Sequence, residues 1–95
     1  MSSGFRVFTT PVFDRELKKF FKKDKTIVAI FEIVAEILRN DPINKSKRYE
    51  IKKLIDVKQR EGQWRIRQRN YRVRYDIFGN KVVLQSIRDR RDSYK

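Results

Sequence analysis

Residues 63–75 leave the chain one local fold. Trp64, Ile66, Tyr71, Val73 and Tyr75 are apolar, and Arg65, Arg67, Arg72 and Arg74 are basic. Strict alternation on both sides of a short polar break predicts a β-hairpin with one dry face and one wet face. If Arg69-Asn70 is the turn, Gln68 lies opposite Tyr71 and Arg67 opposite Arg72. Ile66 then meets Val73, Arg65 meets Arg74, and Trp64 meets Tyr75. One face becomes an apolar quartet and the other a square of four arginines. Like charges directly opposite in a sheet cost roughly 0.2–1 kcal/mol per pair. The square therefore needs a use outside the fold. A phosphate-rich ligand fits, because the guanidinium fork matches phosphate oxygens in pairs.

The charge balance points the same way. The chain has 95 residues with 25 Lys+Arg against 12 Asp+Glu, a net charge of +13. Residues 1–44 carry only +2 of it and residues 45–95 carry +11. A basic half of this kind suits nucleic acid, an anionic membrane or an acidic protein. No apolar run approaches the ~18 residues of a spanning helix, and the N-terminus lacks a signal-like apolar region, so no membrane partner is expected. The chain has no cysteine and no histidine. That removes disulfides, thiolate ligands, most zinc sites, and Ser-His or Cys-His catalysis. No metal and no cofactor is expected.

The rest reads as one small domain, residues 1–95, without repeats or linkers. Residues 5–10 form a short aromatic and β-branched strand. Thr10-Pro11 is a helix start, a capping hydroxyl followed by proline. Phe13, Leu17, Phe20 and Phe21 then make an apolar stripe. A second helix runs from about 26 to 39, with Ile27, Ile30, Phe31, Val34, Ile37 and Leu38 on one face. Asn40-Asp41-Pro42 stops it. Residues 43–48 are a basic loop, 49–57 a strand broken in pattern by Lys52-Lys53, and 60–62 a turn into the arginine hairpin. Residues 78–81 turn again, and 82–87 form a central apolar strand. The expected class is α+β: an N-terminal strand, a two-helix hairpin, then a four-stranded antiparallel meander. A tight Gly79-Asn80 turn sets Arg72 opposite Ile87, so the tail begins beside the square, with Asp89, Arg90 and Tyr94 within reach.

The hairpin and the residues that follow it carry a resemblance. Trp64-Arg65-Ile66-Arg67, Asn70-Tyr71-Arg72-Val73-Arg74-Tyr75, Lys81-Val82-Val83-Leu84 and Ile87-Arg88-Asp89-Arg90-Arg91-Asp92-Ser93-Tyr94 together resemble the RelE/ParE superfamily of toxins from type II toxin–antitoxin modules. The order of elements and the helix bearing Phe13, Leu17, Lys18 and Phe20 fit as well. The resemblance implies a RelE-like fold and a cytoplasmic toxin silenced by a cognate acidic antitoxin. It implies one of two activities. RelE-like members cut mRNA in the ribosomal A site without metal, by driving the 2′-hydroxyl onto the adjacent phosphate. ParE-like members poison DNA gyrase without that chemistry.

By the resemblance, Arg65 and Arg67 bind phosphate or move protons, Arg72 clamps phosphate, Arg90 is a second arginine, and Tyr94 stacks on a nucleotide. Lys52, Lys53, Arg74, Arg88 and Arg91 are the remaining expected RNA contacts. Two positions depart from the family pattern: Arg88 stands where glycine is usual, and Asp89 where histidine is common. A base for the 2′-hydroxyl is then Asp89, Glu50, Glu61 or a lysine of Lys52-Lys53, and the residues alone do not choose among them. Arginine seldom loses its proton, so Arg90 is a clamp before it is an acid.

Overall fold

The computed structural model describes residues 4–91. The order is β1 (Arg6–Thr9), α1 (Pro11–Phe21), α2 (Ile27–Asn40), β2 (Ile51–Lys53), β3 (Trp64–Gln68), β4 (Tyr71–Phe78) and β5 (Lys81–Asp89). The strands form one sheet in the order β1-β5-β4-β3-β2. β2 to β5 are the expected antiparallel meander, and β1 adds to β5 in parallel.

Local chemistry explains the helices. Thr10 caps α1, its Oγ1 accepting the Phe13 N–H at 3.1 Å, with Pro11 at the first helical position. A cap of this kind contributes about 1 kcal/mol. Phe13 is fully buried, whereas Phe21 lies at the surface. α2 buries Ile27, Ile30, Val34 and Leu38 of the expected stripe together with Ala35, while Phe31 and Ile37 are partly buried against the core. Both helices lie on one sheet face. There they cover Ile66, Tyr71, Val73, Tyr75, Val82, Leu84 and Ile87. The Tyr75 hydroxyl is buried but satisfied, donating to Pro42 O at 2.6 Å. Among the described residues, no helix is long and apolar enough to cross a membrane.

Three expectations change. The strand expected over 49–57 shrinks to Ile51–Lys53. Tyr49 is instead held by Asn44, whose side chain bonds both its N–H and its carbonyl. Residues 54–63 leave the sheet as a loop with left-handed Asp56, Arg60 and Gly62. The last strand runs past Ile87 to Asp89. Its register also differs: Arg72 lies opposite Arg88, not Ile87, because a bulge separates the Arg74–Ser86 and Tyr75–Leu84 pairs. Gln85 is the extra residue. Packing requires it, because Leu84 and Ile87 are three apart and both fully buried. Side chains three apart share a strand face only if one residue between them is bulged.

Candidate phosphate-binding face

The arginine hairpin forms in the expected register. Arg65 pairs with Arg74 and Arg67 with Arg72, and the turn falls at Arg69-Asn70 with Arg69 left-handed. These four arginines stand on the face away from the helices, each half-buried. Two neighbours extend the row. Lys52 of β2 lies opposite Arg65, and the bulge turns Arg88 onto the same face opposite Arg72. Glu50 precedes β2 and lies across from Arg67. It accepts the Arg67 Nη2–H at 3.0 Å.

Two adjoining cavities share Arg65. One, about 240 Å³, is lined by Glu50, Ile51, Lys52, Arg65 and Arg67. The other, about 210 Å³, is lined by Leu54, Arg65, Arg72, Arg74 and Arg88. The cations there strain against one another. Arg65's guanidinium is held below the usual arginine range, first by burial and then by the charges of Arg72, Arg67 and Arg74. Arg74 Nε donates to Gly62 O at 3.1 Å, and Arg88 pairs with Glu16 of α1. Arg72 has no such outlet at Nε. That nitrogen is buried and has no hydrogen-bond partner among the described residues. An unsatisfied buried donor costs roughly 1–3 kcal/mol, more when charged. An anion in the second cavity would offset the mutual repulsion of the arginines that line it.

The remaining expected site residues separate from this face. Asp89 lies opposite Tyr71, on the helix side of the sheet. It is 6% exposed and bonded to Asn70 and to the backbone and side chain of Arg91. The one-residue bulge is the reason: a register slip of one moves every side chain to the other face. Neither Asp89 as a base nor Arg91 as an RNA contact is therefore beside the square. Both line a separate cavity of about 530 Å³ with Phe20, Lys23, Asp24 and Tyr71. Lys53 also parts from Lys52. It lies opposite Trp64 with its ammonium 5.6 Å from the indole centroid. Arg90 is exposed one position past β5, its N–H donating to Asn70 O. Tyr94 lies outside the described residues. Glu61 is exposed in the 54–63 loop.

Asp89 and Tyr71 anchor the other side of the sheet. Tyr71 donates its hydroxyl proton to Asp24 at 2.9 Å, and burial first, then Asp24, pushes the phenol to about 12. Asp89 is drawn from 3.8 to about 2, above all by hydrogen bonds from the Arg91 side chain. A carboxyl depressed in the folded state adds stability above its unfolded pKa, and that stability is lost as pH falls through the folded value. The window here is about pH 4 down to about pH 2. The stability gap between the parent chain and Asp89→Asn should therefore be full at neutral pH and close across that window. Parallel acid titrations of the two proteins would contradict this assignment.

Sequence reasoning missed Asp76, Glu16 and Gly62. Asp76 stands as an acid in the row of basic residues on the arginine side of β4, and that is the available signal. Glu16 accepts the Ile87 N–H at 3.0 Å, where β5 runs on beyond the end of β1. Nothing local in the sequence announces that contact.

Comparison with known proteins places the family and the fold. Residues 7–94 match the family described as ParE toxin of type II toxin-antitoxin system, parDE. The RelBE2 toxin–antitoxin complex from Mycobacterium tuberculosis contains a similar fold, with TM-score 0.70 and 24% identity over 90% of this chain and 98% of that one. YafQ from E. coli strain BL21(DE3) superposes with TM-score 0.67 at 10% identity, covering 96% and 99%. The RelB-RelE antitoxin-toxin complex from Methanococcus jannaschii gives 0.59 at 22%, covering 92% and 94%. At these identities the likeness concerns the fold. No curated protein sequence is a significant match.

Proposed function

The chain belongs to the ParE toxin family of type II toxin–antitoxin systems, in the RelE/ParE superfamily, and within it we propose a metal-independent endonuclease acting on mRNA in the ribosomal A site. The observation that supports this most is a five-arginine face whose central Arg72 has an Nε that is buried and, among the described residues, without a hydrogen-bond partner. A scissile phosphate bound there meets Arg65 and Arg72, and Arg88 joins them by exchanging Glu16 for the phosphate. Preorganised cations of this kind stabilise the developing phosphorane charge, and one donor is worth ~3–4 kcal/mol in a dry site.

Proton transfer falls to the adjoining cavity. Glu50 is its one carboxylate. It takes the proton of the 2′-hydroxyl as the 2′-oxygen attacks phosphorus. The P–O5′ bond breaks, and the 5′-oxygen leaves with a proton from Lys52, the lysine of the same cavity. The products are a 2′,3′-cyclic phosphate and a 5′-hydroxyl. Glu50→Gln should lower single-turnover cleavage by about 10²-fold or more, the usual scale for loss of a proton carrier. RNA affinity should hold or rise, since a negative charge is removed. Equal turnover with weaker binding would take the base away from Glu50.

The partner follows from the same family. An acidic antitoxin segment complements the basic face, and two of the similar structures above are toxin bound to antitoxin. A second reading, a non-catalytic inhibitor of DNA gyrase, is favoured by the family's ParE description and by Asp89 turning away from the square.

A further inference from the structure

Asp76 is fully buried yet faces the arginine side of the sheet, beside Arg74 on β4. A carboxylate sealed there demands partners, and it has four. Its Oδ2 accepts the Arg60 N–H at 2.9 Å, the Gly62 N–H at 3.0 Å and the Gln85 Nε2–H at 3.0 Å. Its Oδ1 accepts the Gln63 N–H at 2.9 Å. Three of these donors are backbone groups of the 54–63 loop, and the fourth is the side chain of the bulge residue.

Both attachments bear on the arginines. The loop places Gly62 against Arg74, with Gly62 O accepting the Arg74 Nε–H. The fit is close: a Cβ on Gly62 would come 2.7 Å from the Cβ of Arg74, and the residue is left-handed at φ +84. The same loop supplies Leu54, a wall of the cavity that holds Arg65, Arg72, Arg74 and Arg88. The bulge at Gln85 turns Arg88 into that cavity.

We infer that Asp76 is a positioning residue for the phosphate-binding face, tying the 54–63 loop and the β5 bulge to one carboxylate so that Arg74 and Arg88 are held toward a common anion. This rests on the phosphate reading of that face. Asp76 touches no substrate; it acts through Gly62 and Gln85. Its four bonds all run toward the carboxylate, so an amide in its place presents a donor to at least one N–H. An apolar residue would leave those donors unpaired.

The test is binding of a labelled single-stranded RNA oligonucleotide by the full chain across a salt series, with thermal unfolding measured alongside. Asp76→Asn should weaken binding by about tenfold. It should also lower the log–log salt slope by ~0.7 for each phosphate that is no longer neutralised. Gly62→Ala leaves the Asp76 carboxylate in place but crowds Arg74 and strains the left-handed backbone of the loop, so it should show the same change in slope. It decides the matter if Asp76→Asn does not fold. A fall in melting temperature alone, with slope and affinity unchanged in the folded variants, would overturn the inference and leave Asp76 a structural carboxylate. Arg72→Ala separates the two levels. If it leaves slope and affinity unchanged, the phosphate reading itself fails; if it lowers both while the other variants do not, only the role of Asp76 is wrong.

Discussion

Arg72→Ala is expected to lower RNA cleavage by about 10²–10³-fold, the usual cost of losing one preorganised donor at a developing charge, while the sheet stays folded. Arg72 is the central cation of the face, with Arg67 opposite on one side and Arg88 on the other. Its removal deletes an unpartnered buried nitrogen, so the folded state loses no Nε hydrogen bond by it. Like-charge repulsion with Arg65 also falls. Stability should therefore hold or rise as activity collapses. Single-turnover cleavage and thermal unfolding of the same preparation check both halves. A variant that melts far earlier than the parent would make Arg72 structural.

The opposite pattern is expected at Phe13. Its ring is fully buried between the helices and the sheet, 5.8 Å from the ring of Phe31. Phe13→Ala should cost about 3–5 kcal/mol, the transfer term plus the cavity left behind. Domains of this size have only about 5–15 kcal/mol in total. At about 4–8 °C per kcal/mol, the melting temperature should fall by at least ~12 °C. Thermal unfolding of the two proteins measures the shift, and chemical denaturation measures the cost. A cost below about 1 kcal/mol would mean that the helical hairpin is not seated on the sheet as described.

The hairpin was legible in the sequence because alternation and a two-residue turn fix register together. The helices were legible because Phe13 and the α2 stripe repeat at helical spacing, and Thr10-Pro11 marks a start. The bulge was not read, although its trace is present. Val82 and Leu84 are two apart, then Leu84 and Ile87 are three apart, and all are buried. Taking that strand as regular puts Asp89 on the arginine face, the reverse of what forms. The first part of the 54–63 loop, residues 54–57, reads as strand because Leu54, Ile55 and Val57 are apolar. Its anchor is Asp76, at least 13 residues away along the chain, and no local pattern reports a bond of that span. Lys53 was grouped with Lys52 by adjacency, yet neighbours on a strand face opposite ways.

Whether the arginine face cuts messenger RNA on the ribosome decides the function of this chain. Primer extension on mRNA from cells briefly expressing it answers the question, with Arg72→Ala expressed in parallel. Cuts should follow the reading frame at codon spacing within translated regions and be absent from the Arg72→Ala cells. Intact transcripts, in cells whose growth stops while supercoiling fails, would refute the nuclease reading and assign the chain to gyrase.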